Sequence, residues 1–137
     1  MKPSTWILCG AVLGFLGVAL GAFGAHGLPE MLAGLEVPAA EIPGREKTFE
    51  TAVRYHVYHA LALVLVGLLA NSRRCRGWTT AGISFLFGVL IFSGCLYALV
   101  FTGVKVLGAI VPIGGVAFLV GWLAMAAGAL KWRKDEG

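Results

Sequence analysis

Charge is what this chain of 137 residues has least of: 13% of its residues are Asp, Glu, Lys or Arg, against 58% hydrophobic ones, and its mean hydropathy is +0.85. That balance excludes an ordinary soluble domain of this length and points to lipid as the solvent. Only seven acids are present, no Asp lies in any long apolar run, and no Glu or Lys falls near the middle of one. A polar relay across a membrane is therefore not legible. Cysteine is equally sparing. Cys9 and Cys95 fall in apolar runs and Cys75 between two of them, without C-x-x-C or other ligand spacing, so they read as small buried residues rather than a metal or disulfide framework. No P-loop, dinucleotide fingerprint, catalytic triad or pair of catalytic carboxylates is present, and enzymatic activity has no positive support.

What is there is long hydrophobic runs. Four of them, approximately 5–24, 52–70, 78–101 and 106–130, are each long enough to cross a hydrocarbon core about 30 Å thick. They lack the alternation of barrel strands, and lipid demands internally paired backbone, so the expected fold is all-α: one integral membrane four-helix bundle with a single long connection at 25–51. The first run follows one basic residue, Lys2, and exceeds a usual signal-peptide core, so it is expected to stay as an anchor. Lys2, Arg73, Arg74, Arg76, Lys131, Arg133 and Lys134 fall on one side of such a four-span chain. Arg45, Lys47, Arg54 and Lys105 fall on the other, with Glu30, Glu36, Glu41, Glu46 and Glu50. The positive-inside rule then places both termini in the cytoplasm. This topology accounts for the net charge of +4, so no nucleic-acid partner is read from it.

Glycines punctuate the first and last spans. Gly10, Gly14, Gly17, Gly21 and Gly24 form one stripe, and Gly114, Ala117, Gly121, Ala124 and Gly128 form another. Stripes of small residues admit close helix approach, so spans one and four are expected to pack together, or one stripe to build a homo-oligomer. Residues 29–35 suggest a short interfacial turn or helix, Glu50 and Arg54 an i, i+4 ion pair at the head of span two, and Thr102 to Lys105 a tight turn between spans three and four. Pro112 either kinks the fourth helix or lies in its first turns. Trp6, Trp78 and Trp132 read as interfacial anchors and Trp122 as packing.

Polar side chains gather near one end. His26 closes span one, Tyr55, His56 and His59 open span two within roughly 10 Å of its outer end, and Tyr97 approaches from span three. Ser93 is that span's deepest strong polar group and is able to bond within its own helix. The candidate polar cluster is His26, Tyr55, His59, Ser93 and Tyr97. His26, His56 and His59 are metal-ligand candidates by residue type alone; without H-E-x-x-H spacing or a carboxylate at that depth, no metal, haem or other cofactor is assigned. Transport of a proton, ion or small solute is the alternative to a structural or accessory role, and metal or haem binding a third.

Four blocks, GAFGAHGL at 21–28, YHVYHALAL at 55–63, FSGCLYAL at 92–99 and PIGGVAFLVGW at 112–122, resemble in order the YgdD/YwdK family of small bacterial membrane proteins, which has relatives in animal mitochondria. The resemblance implies four helices in the bacterial cytoplasmic membrane and supplies no biochemical role. Gly21, Gly24, His26, Tyr55, His59, Ser93, Gly94, Tyr97, Pro112, Gly114 and Gly115 match its pattern. His56 replaces a usual glutamine and Cys95 a common serine. His26, His59 and Tyr97 are accordingly expected to form a hydrogen-bonded clasp across the outer ends of spans one, two and three. The lipid bilayer is the one partner implied; a membrane-protein partner or a homo-oligomer stays open.

Overall fold

The computed structural model describes residues 1–73 and 75–135, with side chains through residue 132. Arg74 and the side chains of Arg133 and Lys134, three of the basic residues in the orientation argument, lie outside the described residues. Among the described residues the chain is all helical, without strands. The elements are α1 (Pro3–His26), α2 (Leu28–Gly34), α3 (Ile42–Ser72), α4 (Arg76–Gly88), a π turn (Val89–Ser93), α5 (Gly94–Thr102) and α6 (Val106–Asp135). Four stretches are long and apolar enough to cross a membrane: Pro3–His26, Ile42–Ser72, Arg76–Thr102 and Val106–Trp132. Large apolar side chains such as Phe15, Val18, Leu119 and Leu123 are exposed, as side chains are where the surroundings are lipid rather than water.

Packing follows chain order. α1 lies on α3, α3 on α4 and α5, and α4 on α6. Among the described residues α1 and α6 are not a closely packed pair, which corrects the expected contact between the two glycine stripes. The reason is visible where a Cβ would fall. At Gly10 it would meet the Ala60 carbonyl at 2.7 Å, and at Gly17 it would meet Val57 at 2.6 Å. At Gly24 it would meet the Phe49 ring at 2.9 Å. All three partners are on α3. Gly14 has nothing within 4 Å, so only the members spaced by seven form this seam, while Gly21 sits at its edge with Val53 at 3.5 Å.

The second stripe receives rings. A Cβ at Gly128 would meet the Trp78 ring at 2.8 Å, one at Gly121 would enter the Phe85 ring, and one at Gly114 would lie 2.5 Å from the Phe92 amide nitrogen. The aromatics advance by seven along span three while the glycines retreat by seven along α6, a heptad register between antiparallel neighbours. Two further sockets, Gly82 for Trp6 and Gly88 for Phe118, complete the main core of Trp6, Leu63, Val66, Trp78, Phe85 and Phe118. Trp6 and Trp78, expected as interfacial anchors, are thus core residues, at 0% and 2% exposure. A bulky indole opposite a glycine fills a socket more completely than it covers an interface.

A smaller core at the other end joins Leu28 and Leu32 of α2 to Phe49 and Val100, so α2 packs on the ends of α3 and α5. Span two begins earlier than its apolar run, at Ile42. Its first turns carry an ion pair between Glu41 and Arg45 at 3.0 Å, in place of the expected Glu50–Arg54 pair. Arg45 lies over the end of α5, where its Nη1 donates to the Val100 carbonyl at 2.8 Å; a cation there satisfies an otherwise open helix end. Gly103, at φ +69°, terminates α5 in the left-handed conformation that glycine adopts without a Cβ penalty. Pro112 lies inside α6, in its second turn.

Candidate functional site

The polar residues of spans two and three converge because α3 and the π turn face each other. Ala52, His56 and His59 lie along the buried side of α3, both histidines at 4% exposure. The π turn widens span three at Val89–Ser93, a backbone form concentrated at functional sites and costly enough to need a local cause. Here Ser93, fully buried, donates from Oγ to the Ala52 carbonyl at 2.9 Å. The expected bond within its own helix is replaced by one between spans. Phe92, the preceding residue, packs on Tyr55 at 4.7 Å between centroids and on Phe118 at 5.5 Å.

The two histidines serve different neighbours. His56 Nδ1 lies 3.2 Å from Tyr97 Oη, and its ring edge faces α1, where a Cβ at Gly17 would sit 3.8 Å from Cδ2. Its Nε2 is buried without a hydrogen-bond partner among the described residues. His59 turns toward α6. Its Nδ1 is 2.7 Å from the Tyr55 carbonyl, and Trp122 Nε1 donates to its Nε2 at 3.3 Å. A carbonyl only accepts and an indole N–H only donates, so these partners assign a neutral imidazole protonated at Nδ1. The ring stacks on Phe118 at 3.5 Å and 8°.

The expected clasp of His26, His59 and Tyr97 is therefore corrected. His56 holds Tyr97, His59 binds Trp122, and His26 stands exposed at the end of α1 with no side-chain partner among the described residues. A separation of three residues leaves His56 and His59 about 60° apart around the helix axis, enough to give each a different neighbour. Tyr55 is partly exposed and joins the aromatic layer. Trp122 is the residue that sequence reasoning missed as a polar partner, although its depth on the fourth span was the available signal. Among the described residues no three His, Cys, Asp or Glu side chains are grouped to hold a metal ion.

Beside His59 a groove of about 650 Å³ opens laterally between α3 and α6, walled by Tyr55, Tyr58, Phe92, Phe118 and Trp122. Its lining is mostly aromatic and includes the His59 ring; neither Ser93 nor Tyr97 lines it. The groove and the Ser93–Ala52 layer are thus separate features of one region.

A family model described as a protein of unknown function, DUF423, matches residues 20–115. The UPF0382 membrane protein YwdK of Bacillus subtilis is 42% identical over 129 residues, covering 93% of this chain and 97% of its own length. A UPF0382 membrane protein of Haemophilus influenzae is 40% identical over 123 residues, 88% of this chain and 90% of its own. The UPF0382 inner membrane protein YgdD of Escherichia coli is 33% identical over 135 residues, 98% of this chain and 95% of its own. No solved structure matches the chain. With the model spanning the polar layer of α3 and the π turn, and relatives aligned over nearly the whole chain, this protein belongs to the DUF423 family of membrane proteins of unknown function.

Proposed function

We propose that this protein is a non-enzymatic structural, assembly or accessory component of the bacterial cytoplasmic membrane, folded as a four-helix bundle with both termini in the cytoplasm. The observation that carries this reading is how the inward polar groups are used. Ser93 bonds to Ala52, His56 to Tyr97 and His59 to Trp122, so each ties two spans together. A transport path needs polar groups facing a wet passage, whereas these face one another or aromatic rings. The orientation draws support from Lys2 and Arg76, which line one hollow at the end that carries Met1, a charge placement that favours the cytoplasm. The relative named an inner membrane protein agrees with this location.

Crosslinking in native membranes, followed by identification of what is captured, tests the accessory role; a reproducible membrane-protein partner is the expected result. Purified protein in sealed vesicles is expected to carry no proton or ion flux above that of empty vesicles. Flux abolished by His59→Phe would replace this reading with transport. Reporter fusions after residues 72 and 137 are expected to report the cytoplasm, and a fusion within 35–40 the opposite side.

A further inference from the structure

At the end that carries Met1 and the last turns of α6, spans two, three and four leave a hollow of about 520 Å³ that the polar layer does not use. Arg73 and Arg76 border it from the turn between α3 and α4, Lys131 borders it from the last turns of α6, and Trp78 and Trp132 form its apolar wall. Among the described residues neither Arg76 nor Lys131 pairs with a carboxylate. Gly77 and Gly128 also line it, and a Cβ at Gly77 would lie 2.8 Å from the Ala124 carbonyl, so α4 and α6 approach closely beside it. The indoles pack edge to face at 6.5 Å. Arg76 and Gly77 begin α4, an end that no side chain caps, so its partial positive charge adds to that of the cations.

We propose that this hollow binds the phosphate of an anionic phospholipid, with Arg76 and Lys131 at the phosphate and the first carbons of an acyl chain against Trp132. Its chemistry is that of a phosphate diester joined to an apolar body. A guanidinium fork and an ammonium match the anion, and the Trp132 ring matches the chain. Its depth agrees, since Ser72, Arg76 and Trp132 bound three apolar spans and place the hollow at headgroup level, where basic pockets between helices recognise lipid headgroups. A free phosphate shares the anionic half of this chemistry but leaves the indole wall without a role.

The test uses full-length protein in phosphatidylcholine vesicles into which phosphatidylglycerol brominated high on its acyl chains is titrated, with equally brominated phosphatidylcholine as reference. Tryptophan quenching reads occupancy. Phosphatidylglycerol is expected to quench at several-fold lower mole fraction, and Arg76→Gln or Lys131→Gln each to reduce that preference by about fivefold, the equivalent of about 1 kcal/mol per cation. Lys2→Gln, a charge removed at the same end but outside the hollow, is expected to leave it unchanged. Helical circular dichroism confirms that each variant is folded. Equal quenching by the two lipids overturns the proposal, as does an equal loss in Lys2→Gln and Arg76→Gln. Loss of the phosphatidylglycerol preference on adding inorganic phosphate at constant ionic strength reassigns the hollow to a soluble phosphate and overturns the lipid. These results do not depend on the accessory role, which stands or falls on crosslinking and flux.

Discussion

Gly114→Ala adds a single methyl group, and the structure leaves it no room. The new carbon would lie 2.5 Å from the Phe92 amide nitrogen and 2.9 Å from its Cα. Ordinary contacts between heavy atoms begin near 3.5 Å, so α6 and the π turn must part by about 1 Å, which already forfeits a quarter to a half of each dispersion contact across that layer. Because the obstacle is backbone, no rotamer relieves it. Overpacking of this kind costs about 1–3 kcal/mol, against a gain of at most about 1 kcal/mol from replacing glycine by alanine in a helix. Gly14→Ala is the matched control, since nothing lies within 4 Å of its Cβ position; it is expected to be neutral or slightly stabilising. Gly121→Ala meets the Phe85 ring instead, so pairing it with Phe85→Leu should recover part of its loss, whereas no truncation of Phe92 beyond Cβ should rescue Gly114→Ala. Unfolding in mixed micelles with increasing dodecyl sulfate, followed by tryptophan fluorescence, gives the three midpoints. If Gly14→Ala and Gly114→Ala unfold at the same detergent fraction, the seven-residue seam between spans three and four is refuted.

Other outcomes follow from the same contacts. Ser93→Ala is expected to lose about 0.5–1.5 kcal/mol as the Ala52 carbonyl loses its inter-span partner, read as a lower midpoint in the same titration. Tyr97→Phe and His56→Phe should each destabilise, and their double variant should lose less than the sum, because each single change leaves the other group unpaired; strict additivity would show that the 3.2 Å contact carries no coupling. Gly103→Ala places a Cβ at φ +69° and 3.1 Å from Arg45 Nη2, with an expected cost of about 1–2 kcal/mol, measured as a lower thermal midpoint. His26→Ala, at an exposed helix end, should move that midpoint by no more than about 0.5 kcal/mol.

Hydropathy picked out the four long apolar helices because lipid imposes one demand on every residue of a crossing helix. The short helix at α2 and the tight turn at Gly103 were legible for local reasons, proline and glycine placement. Partners were less legible. A glycine stripe announces a face that can be approached, but whether a backbone or an aromatic ring occupies it depends on the opposite helix. Gly10 and Gly121 look alike in sequence, yet one meets the Ala60 carbonyl and the other the Phe85 ring. Trp78 misled in the same way, since an indole near a span end suits an interface and a glycine socket equally well until the socket is seen. The polar residues were identifiable by type and depth. Their pairing was not, because it turns on tens of degrees of rotation about the helix axis. His56, where the resemblance implies a glutamine, reaches Tyr97 all the same.

The π turn has a consequence for how this chain tolerates changes of length. Each residue of an α-helix advances the azimuth by about 100°, so deleting any one residue within 89–93 would swing Gly94–Thr102 around the axis while leaving span three as apolar as before. Phe92 and Trp78 face α6, whereas Tyr97 faces α3; the two halves of the span keep different bearings, and the wide turn is the joint between them. A hydropathy profile is blind to such a deletion. Inheritance in this span therefore acts on phase as well as on greasiness, and a one-residue frame slip that leaves the membrane anchor intact would still disengage it from its neighbours.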